Sequence, residues 1–252
     1  MIAVSFRVFQ PVLRFAQFYG EKASPVEGVV FFFGTFQALF LNSFVLGIEV
    51  FLYSGVTAIK DEYNIYLLRC GRRTWVTAQL ITILIIAITT MLMWVISIFL
   101  VMIPVFHWDS DWDRVWRTLC LARFGSTGIP LDMPSYIIHN YSPIEGFVYS
   151  CLLKTLVFVL LGNVVYLGNM ISRWPLGTAL GVLLALEDAF FLNTWSSQYI
   201  WFSPATMSRL YMLEKQHEYI APTPIEAILF MMIISFLLAL AARNIGKHKL
   251  EA

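Results

Sequence analysis

Charge is what this sequence has least of. Only 13% of its 252 residues are Asp, Glu, Lys or Arg, against about 25% in a typical soluble domain. So little charge cannot clothe a water-facing surface of normal size. Cysteine is scarce as well: Cys70, Cys120 and Cys151 are odd in number and show no CxxC spacing. That excludes a disulfide framework and the common thiolate zinc sites. One bridge between Cys120 and Cys151 is conceivable, but three thiols packed as small hydrophobes is the simpler reading. The four histidines, at 107, 139, 217 and 248, have no second His or Cys at ligand spacing. A glycine-rich phosphate loop, GxSxG and HExxH are all missing, so none of these nucleotide or hydrolase sites is written in the chain. Residues 1–18 carry Arg7 and Arg14 and have no small-residue cleavage site, unlike a secretory signal.

What is present is apolar. Hydrophobic residues make up 59% of the chain and aromatics 16%, and the mean hydropathy is +0.72. Five runs, 28–54, 75–106, 146–171, 176–195 and 225–242, are read as spans of about 20 apolar residues or close to it. Backbone groups in hydrocarbon must be satisfied internally, so these are helices. The predicted fold is all-α: one polytopic transmembrane domain over 1–252, with five clear transmembrane helices. Residues 1–23 place Val4, Val8, Phe9, Val12, Phe15 and Tyr19 near helical spacing, with Arg7, Arg14, Gln10, Gln17 and Pro11 among them. This predicts an interfacial amphipathic helix, with a degenerate sixth span as the alternative.

Orientation follows from caps and charge. Ser24-Pro25-Val26-Glu27, Ser142-Pro143-Ile144-Glu145 and Thr223-Pro224-Ile225-Glu226 each precede an apolar run. Ser or Thr caps the first turn, Pro fits the first helical position, and Glu closes a capping box. All three open odd-numbered spans and so share one membrane face. The other face holds 57–74, 172–175 and 243–252, with Lys60, Arg69, Arg72, Arg73, Arg173, Arg243, Lys247 and Lys249 against Asp61, Glu62 and Glu251. The capped face has as many basic residues, diluted over a longer length and offset by more acids. Density therefore places 57–74 and the C-terminus in the cytosol, and the N-terminal helix outside.

Two outer segments stand out. Trp108, Trp112 and Trp116 recur every fourth residue, with Asp109, Asp111 and Asp113 around the start of the stripe. An interfacial helix accounts for both features. The acidic triplet is not a calcium loop, because Arg114 and Cys120 fall where an EF-hand needs Gly and Glu. No metal is assigned, and His107 reads as interfacial. Residues 203–216 begin with Ser-Pro and predict a second short external helix.

Four ionisable residues fall within spans: Glu49, Lys154, Glu187 and Asp188. Such groups are costly in hydrocarbon and mark sites. Lys154 and Glu187 lie about 12–14 Å deep at a rise of ~1.5 Å per residue. The tight connection at 172–175 makes spans three and four a hairpin, so Lys154 is predicted to pair with Glu187 or Asp188. The pair either locks the hairpin or lines a substrate path. Glu49, nearer the cytosolic end, is read as a partner for a loop arginine.

The segment 57–79 carries more than charge. After Glu49 and Gly55 come Lys60-Asp61-Glu62-Tyr63, Tyr66-Leu67-Leu68-Arg69, Gly71-Arg72-Arg73-Thr74-Trp75 and Gln79. Ile59, Tyr63, Tyr66 and Leu67 share a helical face, and an exposed apolar face needs a partner. In this order of features the chain resembles the membrane (permease) subunits of ABC-2-type ABC transporters. The resemblance implies that 57–74 is a coupling helix docking on a cytosolic ATPase through Tyr63, Tyr66, Leu67, Arg69, Arg72 and Arg73. It implies a homodimer or a pairing with a sister permease in the lipid bilayer of the cell membrane. It further implies export of an amphipathic peptide, lipid or drug. No cofactor is expected on this chain: ATP and magnesium would sit on the partner ATPase, and nucleic acid has no part. The family usually has six spans, the first of which is absent here or replaced by 1–23. A non-enzymatic membrane accessory or sensor is the first alternative, and a membrane-embedded lipid-modifying enzyme the second.

Overall fold

The computed structural model describes residues 1–34, 39–56, 71–109, 111–121, 135–172, 175–194, 197–214 and 221–249. Among these the chain is helical and contains no strand; one parallel bridge joins Ala23 to Phe106. The helices are α1 (Ile2–Tyr19), α2 (Pro25–Gly34), α3 (Leu39–Val56), α4 (Arg72–Met102), α5 (Arg114–Leu121), α6 (Ser135–Asn140), α7 (Pro143–Ile171), α8 (Leu176–Thr194), α9 (Pro204–Met207) and α10 (Pro224–Lys249). Three segments are long and apolar enough to cross a membrane: Arg73–Val105, Pro143–Ile171 and Pro224–Gly246. They carry the expected second, third and fifth spans.

The expected caps form at two of these helices. At α7, Glu145 N donates to Ser142 Oγ at 3.2 Å and Ser142 N to Glu145 Oε2 at 3.4 Å. At α10, Thr223 N donates to Glu226 Oε2 at 2.8 Å and Glu226 N to Thr223 Oγ1 at 3.4 Å. The third box is replaced. Both carboxyl oxygens of Glu27 lie 3.0–3.1 Å from the N–H of Asp113, eighty-six residues away. Glu27 is fully buried, and desolvation pushes its carboxyl up to about 9. It is therefore neutral at pH 7, the state that burial favours.

Of the expected span 28–54, the described residues form α2 and α3; 35–38 lie outside the described residues. Every residue of α2 is buried, and its ten residues rise only about 15 Å, half the hydrocarbon thickness. It packs on α7 and α4, whereas α3 packs on α8 and α7. An unbroken apolar run is common to spans and to buried core helices, so composition alone does not separate them.

Helix α7 is the centre, packed by α2, α3, α4, α8 and α10. The amphipathic helix expected at 1–23 is α1. Its face Ser5, Phe9, Val12, Leu13 and Ala16 is buried on the body, while Arg7 and Arg14 are exposed. Ser5 Oγ meets Ser97 Oγ on α4 at 2.9 Å. The helix stops at Gly20, whose φ of 66° lets its N–H cap the carbonyls of Ala16 and Gln17.

Two expectations for the outer segments change. The tryptophan stripe is not one interfacial face: α5 begins only at Arg114, and Trp112 and Trp116 are buried while Trp108 is exposed. Trp116 stacks on Phe31 of α2, and Trp112 Nε1 donates to Tyr141 O at 2.8 Å. The 203–216 segment is likewise not an external surface helix. Helix α9 is a single turn, and Ser203, Ala205–Arg209, Leu210 and Leu213 are all buried. Irregular backbone of this kind is stable at depth when protein rather than lipid surrounds it. Cys120 and Cys151 remain thiols and form no bridge.

Candidate functional site

A continuous polar network lies inside the bundle. Lys154 projects from the middle of α7 and is fully buried. Its ammonium donates to Asn42 Oδ1 on α3 and to Ser208 Oγ, the latter at 2.9 Å. The Asn42 amide donates in turn to Asp188 Oδ2 on α8 at 2.6 Å. Asp188 forms an ion pair with Arg209 and accepts from Thr206 Oγ1 at 3.1 Å. Ser208 passes its own proton to the carbonyl of Ala205 at 2.6 Å. The Lys154 ammonium also lies 5.5 Å from the ring centre of Phe33 on α2, within cation–π range.

The local sequence explains why these groups meet. Ser203 caps α9 by accepting from Thr206 N. The turn ends at Ser208, so Ser208 and Arg209 fall on the side facing α7 and α8. Small residues on α7 and α8 bring those two helices close. A Cβ on Gly177 would stand 2.0 Å from Val165 O, and one on Gly168 would stand 2.4 Å from the Cα of Gly177.

The predicted hairpin and the buried positions of Lys154 and Asp188 are observed. The predicted direct pair is not. Arg209 holds the ion pair with Asp188, and Lys154 reaches Asp188 only through Asn42. Glu187 joins this network at its edge: it is hydrogen-bonded with Ser203, whose hydroxyl meets Thr206 Oγ1 at 2.7 Å, and Thr206 in turn donates to Asp188. Glu187 also lines an apolar cavity of about 360 Å³ with Val164, Leu180, Leu183, Leu184 and Phe202. Glu49 does not sit at the interface. It is fully buried, and Thr90 of α4 and Tyr53 are the polar groups facing it.

Formal charge at the centre of the network, Lys154, Arg209 and Asp188, is two cations against one carboxylate, with the second carboxyl group, Glu187, at its edge. Arg209 Nε and Nη1 find no hydrogen-bond partner among the described residues. Burying charge this deeply is costly unless it is paired and hydrogen-bonded. Asp188 meets that need for one cation, and Asn42 and Ser208 solvate the other. Chemically, this centre presents an excess of positive charge and spare donors within an apolar bundle.

Asn42, Ser208 and Arg209 escaped the sequence reading. Arg209 had a signal: it is the lone charged residue between Asp188 and Glu214. Asn42 and Ser208 had none, because uncharged polar residues are common in apolar helices. Of the predicted docking residues, Tyr63, Tyr66, Leu67 and Arg69 lie outside the described residues. Arg72 and Arg73 do not close a separate helix; they open α4, with Gly71 before them at a φ of 75°. Arg73 is exposed. No family model, curated protein or solved structure matches this chain.

Proposed function

We propose that the chain is the membrane subunit of an ABC-2-type exporter, moving an amphipathic substrate and coupled through 57–74 to a separate ATPase. ATP and magnesium belong to that ATPase. The working unit contains two membrane subunits, this chain twice or with a sister. In this reading 57–74 and the C-terminus are cytosolic and α1 is external. The observation that carries the transport part is the buried Lys154–Asn42–Asp188–Arg209 network, because charge kept inside an apolar bundle is expensive and marks a path or a gate. The surplus cation and spare guanidinium donors favour a substrate with an anionic head. The ATP-driven part rests on the resemblance of 57–79. One further point agrees with it. Arg72 opens a rigid helix of 31 residues that packs on α7, the helix carrying Lys154. Motion delivered at 57–74 would therefore reach the network through a single helix.

Lys154→Met tests the path. The substitution removes the surplus charge and leaves Asp188 with Arg209, so the fold is expected to persist. Folded chain in the membrane should stay within about twofold of normal. Efflux of a fluorescent anionic lysolipid from cells producing the chain should fall by about tenfold, the equivalent of ~1.4 kcal/mol in a barrier. Unchanged efflux at normal abundance would reduce the network to a structural lock.

A further inference from the structure

A second cluster lies away from the buried network. His107, Asp109 and Asp113 bring their ligand atoms within 4.8 Å of one another. They line a cleft of about 480 Å³ with Glu21, Trp112 and Arg117 among its other walls. Asp113 is only 8% exposed, and its Oδ2 has no hydrogen-bond partner among the described residues. Its other side is fixed: the carboxylate takes the N–H of Ser24, and its own N–H goes to Glu27. The backbone is clipped at both ends of the cluster, by Ala23 N to Val105 O at 2.8 Å and by Arg117 N to Asp113 O at 3.0 Å. The Asp113 carboxylate is thus held in place by backbone geometry, with one oxygen buried and unused among the described residues.

We infer that His107, Asp109 and Asp113 form a binding site for a divalent transition ion of the zinc type. One imidazole nitrogen and two carboxylate oxygens make a mixed donor set, which suits zinc or manganese better than calcium or magnesium. Zinc bonds to such ligands are about 2.0–2.2 Å. Tetrahedral donors around one zinc then stand about 3.4 Å apart, so ligand atoms now within 4.8 Å of one another close by up to about 1.4 Å to complete the site. Asp109, exposed and already engaged in an interaction of its own, exchanges that contact for the ion. His107 binds as the neutral imidazole, and the two carboxylates balance the ion's charge. Three protein ligands leave positions for water. The bound ion fastens 107–113 onto the junction between α1 and α2, where Ser24 and Glu27 already hold Asp113.

The competing arrangement is that Lys22 and Arg117, which line the same cleft, balance the acids. Arg114 is directed outward to Glu21 at 3.7 Å, with its side chain 87% exposed. The full chain in mild detergent, stripped with EDTA, should bind one zinc per chain by calorimetry. The fluorescence of Trp112, in the cleft wall, should change in step. His107→Ala and Asp109→Asn should each weaken binding by about tenfold or more. Asp111→Asn removes the same charge from the same cleft but not from the triad, and should leave affinity within about twofold. Absence of saturable zinc binding would overturn the site. So would Asp111→Asn weakening it as much as Asp109→Asn, since the attraction would then be diffuse charge.

Discussion

Replacing Asp188 with alanine is expected to abolish accumulation of the folded chain. The carboxylate is fully buried and accepts from Arg209, Asn42 and Thr206. Without it, Arg209 and Lys154 stand together in an apolar interior with no carboxylate paired to either. Leaving one member of a buried pair alone costs about 3–5 kcal/mol, and a whole domain is stable by only about 5–15 kcal/mol. Here two cations are left rather than one, and the Asn42 amide and Thr206 hydroxyl lose an acceptor as well. The contrast with Lys154→Met is the sharp part. Both changes remove one charge from the same network, yet one leaves two cations and the other leaves a neutral pair. Size-exclusion profiles of fluorescently tagged chains from solubilised membranes should show the Asp188→Ala peak lost and the Lys154→Met peak retained. Equal peaks would mean that charge balance does not hold this network together.

Gly177→Ala is the second large effect. The added Cβ would fall 2.0 Å from Val165 O and 2.6 Å from Asn169 N. Both neighbours are backbone, so no rotamer change relieves the clash, and the α7–α8 crossing has to open. Small residues at such crossings are what let helices approach closely in membranes. The displacement would also reach Asp188, three turns further along α8. Overpacking typically costs about 1–3 kcal/mol and more where nothing can yield. Gly47, in the middle of α3 with nothing within 4 Å of its Cβ position, is the control. Alanine there should be neutral or stabilising by up to ~1 kcal/mol. Thermal unfolding in detergent should show a clear drop in midpoint for Gly177→Ala and none for Gly47→Ala.

How much of this could be read from the residues depends on where the information lies. Caps are local, and Ser142 with Glu145 and Thr223 with Glu226 form as their spacing requires. The hairpin was legible because a short connection forces α7 and α8 to lie side by side. The burial of Lys154 and Asp188 was legible because charge inside long apolar runs has nowhere else to go. Pairing is different, since it depends on which segment folds back. Arg209 sat in a stretch that its Ser-Pro start made look external, and only tertiary packing turns it inward against Asp188. The burial of α2 within the run 28–54 is hidden for a related reason: hydrophobicity is equally high in a helix buried on every side by protein and in one that crosses lipid. Trp112 and Trp116 followed the same course. Their spacing marked a helical face, but α2 supplied Phe31 as a partner and drew them into the interior.

Coupling to a separate ATPase is the part of the proposed function most open to direct test. The direct measurement is to solubilise native membranes in mild detergent, isolate the chain and identify what accompanies it, alongside the double variant Arg72→Glu, Arg73→Glu. A P-loop ATPase is expected in near-equal amount with the unaltered chain, lost with the double variant while α4 stays folded. Isolation of the chain without any nucleotide-binding partner, or a partner bound equally by the double variant, would contradict that coupling.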